Sequence, residues 1–82
     1  MPEPPPLRNR IRRLRFEHGE MTQEQLAQKA GVTRHTIMAL EAGKYAPSLL
    51  LAFRIARVFG ETVEQVFEYQ EGTAPMPSRD PA

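Results

Sequence analysis

Among these 82 residues the side chains able to do chemistry are few, and their types favour donating hydrogen bonds over covalent work. The only histidines are His18 and His35, and there is no cysteine. With no carboxylates suitably grouped beside them, no metal site is expected and no cofactor is implied. Thr22, Ser48 and Thr62 each precede a helical pattern and read as helix caps before they read as nucleophiles. No Ser/His/Asp grouping, phosphate loop or glycine-rich turn occurs, so the chain is not expected to be an enzyme. What remains is Thr33-Arg34-His35-Thr36, a run of hydrogen-bonding side chains at the start of a helical pattern.

The elements that must position this run lie between Thr22 and Gly43. Leu26, Ala27 and Ala30 form the inner face of one short helix, and Ile37 and Leu40 that of the next. Gly31 sits between them, where a sharp reversal needs positive φ, and Val32 plugs the turn. Ala27 is small because two helices crossing within one turn leave no room for more. Such a helix-turn-helix holds its second helix proud of the surface, where it can enter a DNA major groove about 12 Å wide. In that docking mode the first turn of the second helix reaches base edges. Thr33, Arg34 and His35 are then base-contact candidates, Arg34 through a bidentate bond to guanine O6 and N7. Ala39, one turn on, could meet a thymine methyl. Met38 reads equally as groove neighbour or core filler, and Thr36 as a phosphate contact.

Five helices are legible around this unit. The first spans about Leu7 to His18, with Leu7, Ile11 and Leu14 at helical spacing, and His18 as a C-terminal cation. The second starts in a capping box of Thr22 and Gln25, the third at Thr33, and the fourth at Ser48, stopped by Gly60. Thr62 and Gln65 cap a short fifth helix carrying Val63, Val66 and Phe67. At most, residues 67–70 form a small edge strand with the N-terminal arm. The expected fold is all-α, with that small terminal β-pairing as an option. Prolines at both ends suggest a flexible arm over 1–6, a folded domain over 7–70 and a disordered tail over 71–82.

Net charge is only +1, yet it divides unevenly. Residues 1–60 hold ten Lys/Arg against five Asp/Glu, and residues 61–82 one against five. A basic body could face phosphates while the acidic end points elsewhere. No apolar run nears 18 residues and the start lacks a hydrophobic signal region, so a soluble cytoplasmic protein without a membrane partner is expected.

The elements Leu14-Arg15, Thr22-Gln23-Glu24-Gln25-Leu26-Ala27, Gly31-Val32-Thr33-Arg34, Ile37, Leu40-Glu41, Gly43-Lys44-Tyr45 and Pro47-Ser48-Leu49 together resemble the lambda-repressor-like (Cro-type, XRE) helix-turn-helix family. In particular the chain resembles its compact, stand-alone bacterial members. The resemblance implies phosphate contacts from Gln23, Lys44 and Tyr45, and a structural pair of Arg15 with Glu41 tying the first helix to the third. Three positions depart from the family pattern. Glu20 looks like an extra residue in a turn, Ala42 stands where a phosphate-binding asparagine is common, and Leu50 stands where an acid is common.

The function this implies is a sequence-specific, double-stranded-DNA-binding transcriptional regulator, a repressor acting as a homodimer on a pseudo-palindromic operator. Leu50, Val63, Val66 and Phe67 are the expected dimer interface, because one short helix needs less apolar surface than they supply; the competing reading is that Phe67 and Val63 close the monomer core. The alternative is a protein-interaction module, antitoxin-like or coactivator-like, on the same scaffold.

Overall fold

The computed structural model describes residues 5–70; the tail expected over 71–82, and the first four residues of the expected arm, lie outside them. The element order is β1 (Leu7–Asn9), α1 (Ile11–Glu17), α2 (Gln23–Ala30), α3 (Arg34–Glu41), α4 (Leu49–Phe59), α5 (Val63–Val66) and β2 (Phe67–Tyr69). Five helices thus enclose the core, and one two-stranded antiparallel ribbon joins the two ends of the described chain.

Local chemistry sets most of these bounds. Thr22 and Gln25 exchange side-chain and backbone hydrogen bonds at 2.8 and 3.0 Å, the reciprocal cap expected for α2, and Thr62 and Gln65 repeat it at α5. The Thr33 and Ser48 hydroxyls accept from Thr36 N and Leu51 N to start α3 and α4. Gly31 closes α2 in the left-handed region, φ 76° and ψ 32°, and Val32 N then bonds back to Ala27 O at 2.9 Å. Glu20 also takes positive φ, 54°, a conformation that L residues other than asparagine and aspartate seldom adopt. Its N–H reaches Phe16 O, and Met21 N reaches Arg15 O, so the extra residue is absorbed in the turn without disturbing α2.

The first helix is shorter than its spacing predicts. Leu7 lies in β1, opposite Tyr69, with Arg8 opposite Glu68 and Asn9 opposite Phe67. Asn9 decides the switch. Its Oδ1 accepts from Ile11 N at 3.2 Å, and its Nδ2 donates to Leu40 O at 2.8 Å. An asparagine bonded this way offers the backbone an alternative to helix and fixes the start of α1 two residues later, at Ile11.

The core gathers Ile11 and Leu14 from α1, Leu26, Ala27 and Ala30 from α2, Ile37 and Leu40 from α3, the α4 face of Leu51, Ala52, Ile55, Ala56 and Phe59, and Val66 with Phe67. Val32 and Val63 pack partly buried against it. This placement corrects the expected dimer interface. Val66 is wholly inaccessible and Phe67 nearly so, because Arg10 N bonds to Val66 O and the β1–β2 ribbon folds α5 onto the core. Their side chains close the protomer and cannot meet a mate. Among the described residues no helix is long and apolar enough to cross a membrane, and no group of three or more His, Cys, Asp and Glu could hold a metal ion.

Candidate nucleic-acid interface

The α2–α3 pair is held from behind by an ion pair. Arg15 Nε donates to Glu41 Oε2 at 2.6 Å and Arg15 Nη2 to Glu41 Oε1 at 3.2 Å, while Arg15 Nη1 donates to Met21 O at 2.7 Å. Both side chains are only 10% exposed. The fork geometry and the third bond satisfy charges that burial would otherwise penalise. One arginine therefore ties α1, the entry to α2 and the end of α3 together.

Glu41 has a further partner. Gln23 Nε2 donates to its Oε1 at 3.3 Å, fixing a half-buried glutamine at the first turn of α2. By helix geometry the first N–H groups of α2 lack intrahelical acceptors, and Thr22 takes up that of Gln25. Those of Gln23 and Glu24 remain to face an anion, where the helix dipole favours one.

The first turn of α3 presents what the sequence predicts. Arg34 and His35 are exposed, and their side chains have no hydrogen bond or ion pair within the described residues. Thr33 and Thr36 are partly engaged: the Thr33 hydroxyl caps Thr36 N and lies 3.1 Å from the Thr36 hydroxyl. One turn on, the exposed apolar surface belongs to Met38, 41% exposed, while Ala39 is half-buried. Met38 thus joins the outer stripe with Arg34 and His35, at i+4 and i+3. Sequence reasoning left it undecided because the phase of an eight-residue helix shifts by 100° per residue.

After α3, Ala42 and Gly43 turn the chain, Gly43 N bonding to Leu40 O at 3.0 Å. Lys44 is exposed and has no side-chain partner among the described residues. Tyr45 sets its hydroxyl 3.5 Å from Thr36 O, which leans the ring over the start of α3. Gln23, Arg34, His35, Met38, Lys44 and Tyr45 thereby surround the α2–α3 unit with donors and one apolar contact. The arrangement suits hydrogen bonding to an extended polar surface, with no base poised beside a nucleophile.

A helix-turn-helix family matches residues 11–66, from the start of α1 to the end of α5. An uncharacterized HTH-type transcriptional regulator of Archaeoglobus fulgidus is 54% identical over 65 residues, 79% of this chain and 91% of the relative. One from Methanothermobacter thermautotrophicus is 54% identical over 69 residues, covering 83% and 99%. A Bacillus subtilis relative of the same description is 43% identical over 65 residues, 79% of this chain and 97% of its own length. These relatives are about as compact as the matched region, and they include archaeal as well as bacterial proteins. Among solved structures, a Bacteroides fragilis protein assigned to DNA binding superposes with a TM-score of 0.65 at 26% identity, covering 74% of this chain and 97% of its own. The chain belongs to the XRE-type, lambda-repressor-like helix-turn-helix family of transcriptional regulators.

Proposed function

We propose that the protein is a sequence-specific regulator that binds double-stranded DNA as a homodimer and represses by occupying a pseudo-palindromic operator. The observation that carries this reading is the exposed first turn of α3, with Arg34 and His35 unpaired among the described residues, Tyr45 reaching Thr36 O, Gln23 reaching Glu41 at the other end of the helix, and Lys44 exposed just after it. Donors around α3 suit the phosphates that border a groove, and Arg34 suits a guanine edge. Thr33, His35 and Ala39 complete the proposed base-facing set. Thr36 joins Gln23, Lys44 and Tyr45 on the backbone.

The homodimer is supported by an apolar face of α4. Leu49, Leu50 and Phe53 are 72%, 60% and 51% exposed, and at i, i+1 and i+4 they share one side of the helix. With Val66 and Phe67 inside the protomer, Leu50 keeps its proposed interface role, Val63 can contribute only an edge, and Leu49 and Phe53 join. To bind such an operator, a twofold through this face has to set two α3 helices about 34 Å apart, one turn of DNA. A dimer held on an operator excludes polymerase by bulk alone.

Selection of bound sequences from a random duplex library tests the reading. An inverted repeat with half-sites one turn apart, bound with a steep negative dependence of log K on log[salt], is the expected result. In vitro transcription from a promoter carrying that repeat should fall as protein is added. Failure to retain any duplex at low salt, with folded protein, would favour a protein-interaction module.

A further inference from the structure

We propose that Arg54, assisted by Lys29 and Arg57, forms a second phosphate-binding surface on α4 and the end of α2 that lengthens the DNA contact past the helix-turn-helix unit. The inference rests on the reading that the first turn of α3 enters the groove. A groove of about 550 Å³ runs between the C-terminal end of α2 and the second half of α4, with Gln28, Lys29, Gly31, Arg54 and Arg57 on its walls and no carboxylate among its lining residues. The Arg54 guanidinium lies against the turn between α2 and α3: its Nη1 is 3.5 Å from the position a Cβ on Gly31 would occupy. Gly31 is three residues before Arg34, so the cation stands beside the base-reading end of α3.

The cations of this groove are open to a counter-charge from outside. Arg10, Arg13 and Arg15 are paired with Glu68, Glu17 and Glu41, whereas Lys29, Arg54 and Arg57, like Arg8 and Arg12, have no carboxylate partner among the described residues. Of these five, Lys29, Arg54 and Arg57 share one groove. Lys29 and Arg57 lie in the last turns of α2 and α4, where the helix dipole accounts for a cation. Arg54 is in the interior of α4 and has no such account. Its planar fork fits a phosphate with two parallel bonds, and the backbone bordering the groove at the α3 N-terminus is the polyanion nearest to it. An acidic peptide is the rival occupant, disfavoured because the cations adjoin the turn that presents α3.

The test compares the unaltered protein with Arg54→Gln, Arg54→Lys and Lys29→Gln/Arg54→Gln/Arg57→Gln on a duplex selected by the unaltered protein. Arg54→Gln should melt at an unchanged temperature, keep the same base preferences and lose about one unit of salt slope. The triple variant should lose about two to three, since each phosphate contributes about 0.9. Arg54→Lys should retain most of the slope. Neutral methylphosphonates placed singly along the flanks should identify a position that weakens the unaltered protein several-fold and leaves Arg54→Gln unaffected. Unchanged affinity, slope and methylphosphonate response in folded Arg54→Gln would overturn the inference alone. So would binding of a polyglutamate probe that Arg54→Gln loses while DNA binding stays intact. If the unaltered protein binds no duplex, the functional reading beneath it falls too.

Discussion

The Glu41 carboxylate receives Arg15 through both oxygens and, through Oε1, also receives Gln23. One buried acid thus sets the angle between α1 and α3 and positions the proposed phosphate contact at the start of α2. Glu41→Ala would leave the Arg15 guanidinium enclosed with only Met21 O as acceptor. Breaking a buried pair costs about 3 kcal/mol or more, and a domain of this size loses about 4–8 °C per kcal/mol. The DNA-free melting temperature should therefore fall by more than about 10 °C in a thermal scan. Unchanged melting combined with lost DNA binding would move Glu41 from the scaffold to the interface.

Arg34 and Lys44 should fail in different ways. Arg34→Ala should cost about 1–3 kcal/mol on the selected duplex and flatten preference at one base position in each half-site. Lys44→Ala should weaken all sequences alike and reduce the salt slope by about one. Binding isotherms on selected and scrambled duplexes separate them. Equal losses on both for Arg34→Ala would remove its base-reading role.

His18 joins two helix ends. Its Nδ1 lies 2.8 Å from Leu14 O, its Nε2 2.9 Å from Phe59 O, and its ring packs on Phe59 at 5.1 Å between centroids. Each ring nitrogen faces a backbone carbonyl oxygen, so the imidazole bridges the C-terminal ends of α1 and α4 through its N–H. His18→Ala should destabilise by about 1–2 kcal/mol in urea unfolding, with operator affinity preserved below the transition. A midpoint that does not move would mean water replaces both bonds without loss.

What was legible in the chain was what short-range chemistry determines. Thr22, Thr33, Ser48 and Thr62 cap helices through bonds to residues three positions on, and Gly31 closes α2 within one turn. The contacts hardest to read from the chain are long-range. Asn9 reaches Leu40 across 31 positions and leaves no periodic trace, while β1 meets β2 across about 60, a pairing the chain suggests only as an option. The same pairing decides which side of the four-residue α5 faces inward, so Val66 and Phe67 could not be assigned to core or surface from spacing alone. Arg54 was overlooked for a similar reason, since its neighbour Gly31 belongs to another helix pair.

Dimerisation should depend on α4 and not on α5. Leu50→Asp/Phe53→Asp places two charges on a face already exposed, so the folded monomer should keep its melting temperature within a few degrees. The same charges set against a twofold mate would be desolvated without partners, which the association cannot tolerate. Sedimentation at micromolar concentration should then show monomer where the unaltered protein shows dimer, and operator affinity should fall by at least tenfold while half-site binding persists. Val66→Asp is the contrasting variant. Val66 is inaccessible in the protomer, so an aspartate there should unfold the domain instead of merely separating its copies. A Leu50→Asp/Phe53→Asp protein that remains dimeric and binds the full operator normally would place the twofold on another face.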